Sequence, residues 1–168
     1  EGCDVTLADL ARLTDAFYIG GTKCGALFGE ALVLGNPALQ DHFRTCMKQR
    51  GDVLAKGWLM GLQFYTLFQN GLYFDLARRA DRQAMEIKAA FQKAGIPLWV
   101  DSPTNQQFAV VSREQEAALG KDFIFELSHA VDAAHNCIRF CTSWSTRNEE
   151  VAALIGAIES LPGCEEAK

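Results

Sequence analysis

Two short stretches of the 168-residue sequence carry side chains whose type and setting suit chemistry. The first is Gly20-Gly21-Thr22-Lys23-Cys24-Gly25, where a lysine leaves the apolar run Ala16-Phe17-Tyr18-Ile19 on a turn flanked by glycines. A lysine held that way is oriented by the backbone and partly desolvated, and Schiff-base formation needs the neutral amine that this favours. The glycines let a bulky ligand approach the main chain, and Thr22 offers a hydroxyl to a phosphate. The alternative is a plain turn with a solvated lysine, since the spacing is not that of a GxxxxGK[ST] phosphate loop. Cys24, next to a cation, is a candidate reactive thiol, but its segment has no histidine base.

The second stretch is Cys137-Ile138-Arg139-Phe140-Cys141. Alternation puts Ile138 and Phe140 on one face of a strand and Cys137, Arg139 and Cys141 on the other. An arginine among apolar neighbours needs a carboxylate or phosphate partner. Either an acid on a neighbouring strand, such as Glu126, or a substrate carboxylate answers that need. His42, His129 and His135 are scattered and read as surface or capping residues. The six cysteines (Cys3, Cys24, Cys46, Cys137, Cys141, Cys164) have neither CxxC nor zinc-finger spacing, so no metal is expected. They read as reduced thiols of a cytoplasmic protein.

The elements that would carry these residues follow from periodicity. Thr6-Leu7-Ala8-Asp9 is a capping box opening a short helix. The apolar runs 16–19 and 31–34 read as interior strands of a sheet covered on both faces. Asn36-Pro37 starts a helix reaching about Gln49, which Gly51 interrupts. Residues 53–68 continue as a helix apolar almost all round, to be buried on several sides, most simply by another subunit. Asn70-Gly71 is its stop. Residues 75–93 form an amphipathic helix ended by Gly95, packed on a small sheet from 98–100, 108–111, 123–127 and 137–141. A short helix spans 114–119. A second capping box, Thr146-Arg147-Asn148-Glu149, opens a last helix to Leu161, and the tail Glu165-Glu166 is a solvated end. The expected division is 1–70 and 71–168.

Composition narrows the class of function. Apolar residues make up 49% and charged residues 22%, as in an ordinary folded domain. The net charge of −5, with basic residues scattered among acids, argues against nucleic acid as a partner. No run of 18 apolar residues suggests a membrane helix. The opening Glu1-Gly2-Cys3-Asp4 is unlike a signal peptide, and its lack of Met fits a cut chain.

Phe17 through Ala31, with Gly20-Gly21-Thr22-Lys23-Cys24-Gly25 at its centre, closely resembles the cofactor-lysine segment of the threonine aldolases. Those enzymes belong to the β-eliminating lyase group of the aspartate-aminotransferase-like, fold-type I pyridoxal-phosphate enzymes. Ile138-Arg139-Phe140-Cys141-Thr142-Ser143-Trp144, followed by Glu149-Glu150-Val151, is similar to the C-terminal signature of the same family. The resemblance implies an α/β chain: part of the aspartate-aminotransferase-like large domain (1–70), then a small C-terminal α+β domain (71–168). It implies pyridoxal 5'-phosphate as cofactor, Lys23 as the catalytic lysine that joins it, and Arg139 as the residue binding the substrate α-carboxylate. Arg50 and Lys56 fall where the family has basic residues near the cofactor phosphate of a neighbouring subunit. Cys24 departs from the usual Asn.

The family's members are about twice this length, so the chain corresponds to their C-terminal half. The Gly-Thr phosphate cup, the histidine stacked on the cofactor ring and the aspartate at the ring nitrogen lie upstream. Asp4, Asp9 and Asp15 lack the Asp-x-Ala-Arg context of that last residue. The implied reaction is cleavage of β-hydroxy-α-amino acids, threonine giving glycine and acetaldehyde. The missing half and a homodimer or homotetramer are the implied partners, and the chain alone is expected to be inactive. Another β-eliminating amino-acid lyase, or a non-catalytic dimerisation module, is the alternative.

Overall fold

The computed structural model describes residues 4–163. Cys3, Cys164 and the Glu165-Glu166 tail lie outside them. The chain divides between Leu76 and Ala77 into two compact units.

In the first unit, helix α1 (Leu7–Leu13) opens on the expected capping box. Thr6 Oγ1 accepts from the Asp9 N–H at 3.1 Å, and the Asp9 carboxylate accepts from the Thr6 N–H at 3.0 Å. Strands β1 (Ala16–Gly20) and β2 (Glu30–Leu34) pair antiparallel, with Tyr18 opposite Leu32. Both of those side chains are exposed, 70% and 52%. Among the described residues the two strands form a two-stranded ribbon with one partly covered side, and the expected cover on both faces is not supplied by this chain itself. An unbroken apolar run fixes neither the number of neighbouring strands nor what covers them.

The helix expected from Asn36 to Gln49 is broken. A single turn, Pro37–Leu39, capped by Asn36, leads to α2 (Phe43–Gln49) after His42, whose left-handed φ of 54° interrupts the spiral. Gly51, at φ 82°, separates α2 from the next helix. That helix, α3, runs Trp58–Phe68 and starts five residues later than expected. It buries Phe64 and Leu67, while Trp58, Leu59, Leu62, Tyr65 and Phe68 are exposed. Burial on several sides is thus not found among the described residues. Asn70 and Gly71, both at positive φ, end it as expected, and α4 (Leu72–Lys93) begins at once.

The second unit is an antiparallel sheet in the order β3-β5-β4, formed by Gln106–Ser112, His135–Cys141 and Glu126–Ala130. The run 98–100 makes only one bridge, Leu98 to Ala109, and 123–125 precedes the strand rather than forming it. Helix α5 (Arg113–Leu119) is opened by a Ser112/Gln115 capping box that sequence reasoning missed. The core joins Ile87 and Phe91 of α4, Ala109 and Val111 of β3, Ile138 and Phe140 of β5, and Val151, Leu154 and Ile158 of α6 (Asn148–Glu159). Alternation on β5 is as expected: Ile138 and Phe140 face this core, leaving Arg139 on the other side.

The cap of α6 sits one residue later than expected. Glu150, not Glu149, accepts from the Arg147 N–H at 3.0 Å, while Thr146 Oγ1 accepts from the Ser143 N–H. Polar contacts fix the segment after β5. Thr142 Oγ1 donates to the Ala80 carbonyl at 2.7 Å, and Gln83 Nε2 donates to the Thr146 carbonyl and to Asn148 Oδ1. These bonds hold the segment that follows β5 against α4.

Candidate active site

Strand β1 brings the chain to the lysine turn. Gly20 ends the strand, Gly21 is buried, and the single turn Thr22–Cys24 carries Lys23 at its centre. The N–H groups of Cys24 and Ala26 both donate to the Gly21 carbonyl at 2.9 Å, closing the turn. Gly25 leaves it at φ 108°, a conformation that a side chain would strain. Gly21 is required for space rather than for φ. A Cβ there would stand 2.6 Å from Ala26 Cβ and 2.8 Å from Phe64 Cζ.

Two residues that sequence reasoning missed anchor this loop. Gln63 of α3 accepts from the Leu27 N–H at 2.7 Å and donates to the Phe28 carbonyl at 3.3 Å. Tyr73 of α4 donates its hydroxyl proton to the Gly20 carbonyl at 2.8 Å. Burial first, then the neighbouring Cys24 thiol, pushes the Tyr73 hydroxyl up to about 12, so it remains a proton donor at neutral pH. A lone glutamine among the apolar residues of α3 was the available signal for the first. The second had none, because a tyrosine after a helix stop has many uses.

Lys23 and Thr22 are exposed, so within this chain the turn orients the lysine without desolvating it. Among the described residues no carboxylate pairs with Lys23. Arg50, at the end of α2, and Lys56, in the turn before α3, are exposed in the same unit. A primary amine, a hydroxyl and two cations are the donor types that an aldehyde-bearing phosphate ester takes, and Gly21 and Gly25 keep the backbone bare beside the amine. The residues present fit such a group.

Arg139 belongs to the second unit, on the sheet face away from the core. Its Nη1 donates to Gln106 Oε1 at 2.9 Å, and its Nη2 pairs with the Glu126 carboxylate directly across on β4. The ion pair is open to water, with the arginine side chain 33% and the glutamate 65% exposed. Cys137 on the same face is buried, which pushes its thiol up. None of Cys24, Cys46, Cys137 and Cys141 forms a disulfide.

Of the histidines, His42 is exposed near Asp41 and His135 Nδ1 meets Asp132 at 3.0 Å. His129 stacks edge-on with Trp99 at 4.6 Å and buries its Nε2 without a hydrogen-bond partner. The structure gathers Lys23 and Thr22 on one turn, places Arg50 and Lys56 in the same unit, and sets Arg139 in the other.

No family model matches the chain. The low-specificity L-threonine aldolase of Pseudomonas sp. (strain NCIMB 10558) is 26% identical over 149 residues, 88% of this chain and 42% of that protein. The structure of Leishmania major threonine aldolase superposes with a TM-score of 0.89 at 40% identity, covering 93% of this chain and 46% of that one. Serine palmitoyltransferase of Sphingomonas wittichii superposes at a TM-score of 0.57 and 12% identity, covering 78% of this chain and 35% of that one, a likeness of fold alone. The chain therefore has the α/β fold of the aspartate-aminotransferase-like enzymes. Within that class it is threonine aldolase that it resembles, over nearly its whole length. It spans less than half the length of these relatives.

Proposed function

We propose that the chain is the C-terminal part of a pyridoxal-phosphate-dependent aldolase that cleaves β-hydroxy-α-amino acids, with threonine giving glycine and acetaldehyde. The observation that carries this reading is the 40% identity to the Leishmania aldolase over 93% of the chain. Pyridoxal phosphate, when bound, supplies an aldehyde for an amine and a conjugated ring that takes up the electron pair released by carbon–carbon cleavage. Lys23 Nζ is the attachment point, presented by a turn that Gly21 and Gly25 make possible. Thr22, Arg50 and Lys56 offer a hydroxyl proton and positive charge to the phosphate, the latter two toward a neighbouring subunit's cofactor. Arg139 would bind the α-carboxylate and so fix how the substrate is turned about its Cα.

The base that takes the substrate hydroxyl proton, and the acid at the ring nitrogen, belong to the remainder of the enzyme. This chain alone is then inactive. The enzyme assembles as a homodimer or homotetramer, a reading supported by the exposed apolar side chains of α3. It works in the cytoplasm. Among the described residues no helix is long and apolar enough to cross a membrane.

The test is threonine cleavage by the full-length protein. Acetaldehyde is expected, and Lys23→Ala should lower its rate by orders of magnitude. Pyruvate and ammonia from serine or cysteine, without acetaldehyde from threonine, would refute the assignment.

A further inference from the structure

Within the chain the guanidinium of Arg139 is paired with a carboxylate of the chain itself. Glu126 stands directly opposite it across the β4–β5 ladder and takes Nη2, while Gln106, from β3 on the other flank, takes Nη1. The two partners differ in character. Gln106 is neutral and half-buried on a strand paired along its full length, so it can orient the guanidinium without satisfying its charge. Glu126 is charged, is 65% exposed, and starts β4, one of the sheet's two edge strands, just before the register shift between Leu127 and His129. Its carboxylate can rotate into water at little desolvation cost.

Resting on the carboxylate-clamp reading of Arg139, we propose that Glu126 is an internal competitor for that site: its carboxylate occupies Nη2 until the substrate's α-carboxylate displaces it, while Gln106 keeps Nη1 in place. An exposed pair of this kind is a weak lock, worth at most a several-fold change in equilibrium, so a substrate that binds bidentately to the freed guanidinium wins the exchange. The exchange moves no proton and breaks no covalent bond. It keeps the cation neutralised while no substrate is bound, and it sets a threshold on substrate affinity.

Glu126→Gln in the full-length enzyme keeps a hydrogen-bond acceptor for Nη2 but removes the competing charge. Its KM for threonine, and the dissociation constant of glycine measured by calorimetry, should each fall about two- to five-fold. Gln106→Ala, which frees Nη1, should raise both. Should Glu126→Gln fail to fold, Glu126→Asp, whose shorter side chain falls short of Nη2, gives the same readout. Glycine binding that is unchanged or weaker in Glu126→Gln overturns the competitor role, even if the melting temperature shifts. Arg139→Gln separates the two readings. If it weakens glycine at least tenfold while Glu126→Gln does not tighten it, the clamp stands and the competitor falls. If it leaves glycine binding unchanged, both fall.

Discussion

Replacing either member of the Gly20-Gly21 pair by alanine adds one methyl group to neighbouring positions, and the structure assigns them opposite outcomes. At Gly20 the new Cβ meets nothing within 4 Å. The backbone there is ordinary strand, so Gly20→Ala should add no strain and should gain about 0.4–1 kcal/mol by restricting the unfolded chain. At Gly21 the Cβ would lie 2.6 Å from Ala26 Cβ and 2.8 Å from Phe64 Cζ. Ala26 is 3% exposed and Phe64 8% exposed, and an alanine Cβ moves only with its backbone. Relief therefore needs a shift of the turn itself, against the two hydrogen bonds to the Gly21 carbonyl. Overpacking of this kind costs about 1–3 kcal/mol.

The assay is urea denaturation of the full-length variants, read as a midpoint shift at constant slope, together with the absorbance of bound pyridoxal phosphate. Gly21→Ala should lower the midpoint and loosen cofactor retention, because Lys23 moves with the turn; Gly20→Ala should do neither. Equal effects from the two substitutions would refute the argument that Gly21 is there for space.

Two further outcomes depend on single hydrogen bonds. Tyr73→Phe removes the 2.8 Å bond to the Gly20 carbonyl and should cost about 0.5–1.5 kcal/mol by denaturant titration. Since the folded-state hydroxyl is raised to about 12 against about 10 unfolded, the wild-type contribution is full below pH 10 and lost as pH rises toward 12. The Phe variant should lack that decline; an unaltered alkaline limb would contradict it. Thr142→Val keeps the side-chain shape and deletes the buried bond to the Ala80 carbonyl, at an expected cost of about 1–3 kcal/mol. A change under a few tenths would show that the bond does not anchor the segment that follows β5.

Much of this was legible from residues alone. Glycines around Lys23, the Thr6/Asp9 capping box, the alternation through Arg139 and the Asn70-Gly71 stop each have a local cause, and local causes survive folding. The expectations that this chain does not itself meet depended on neighbours that a single segment cannot name. The runs 16–19 and 31–34 read as interior strands because apolar content reports a demand for cover without saying what meets it, and here they form a ribbon with Tyr18 in the open. The helix from Asn36 broke at His42, which takes a left-handed conformation that histidine adopts only occasionally. Residues 98–100 looked like a strand, yet the backbone bends at Trp99 and Val100 and leaves them one bridge. The Arg139 partner was open from sequence, since an acid on a facing strand and a ligand carboxylate satisfy a guanidinium equally; strand register decided that Glu126 is in reach.

The central claim is that the Lys23 amine carries the cofactor. Borohydride reduction of the full-length protein loaded with pyridoxal phosphate, then peptide mass mapping, tests it most directly. The expected result is one reduced pyridoxyl adduct on the peptide containing Lys23, absent from Lys23→Ala. An adduct on a different lysine, with Lys23 unmodified, would contradict the account.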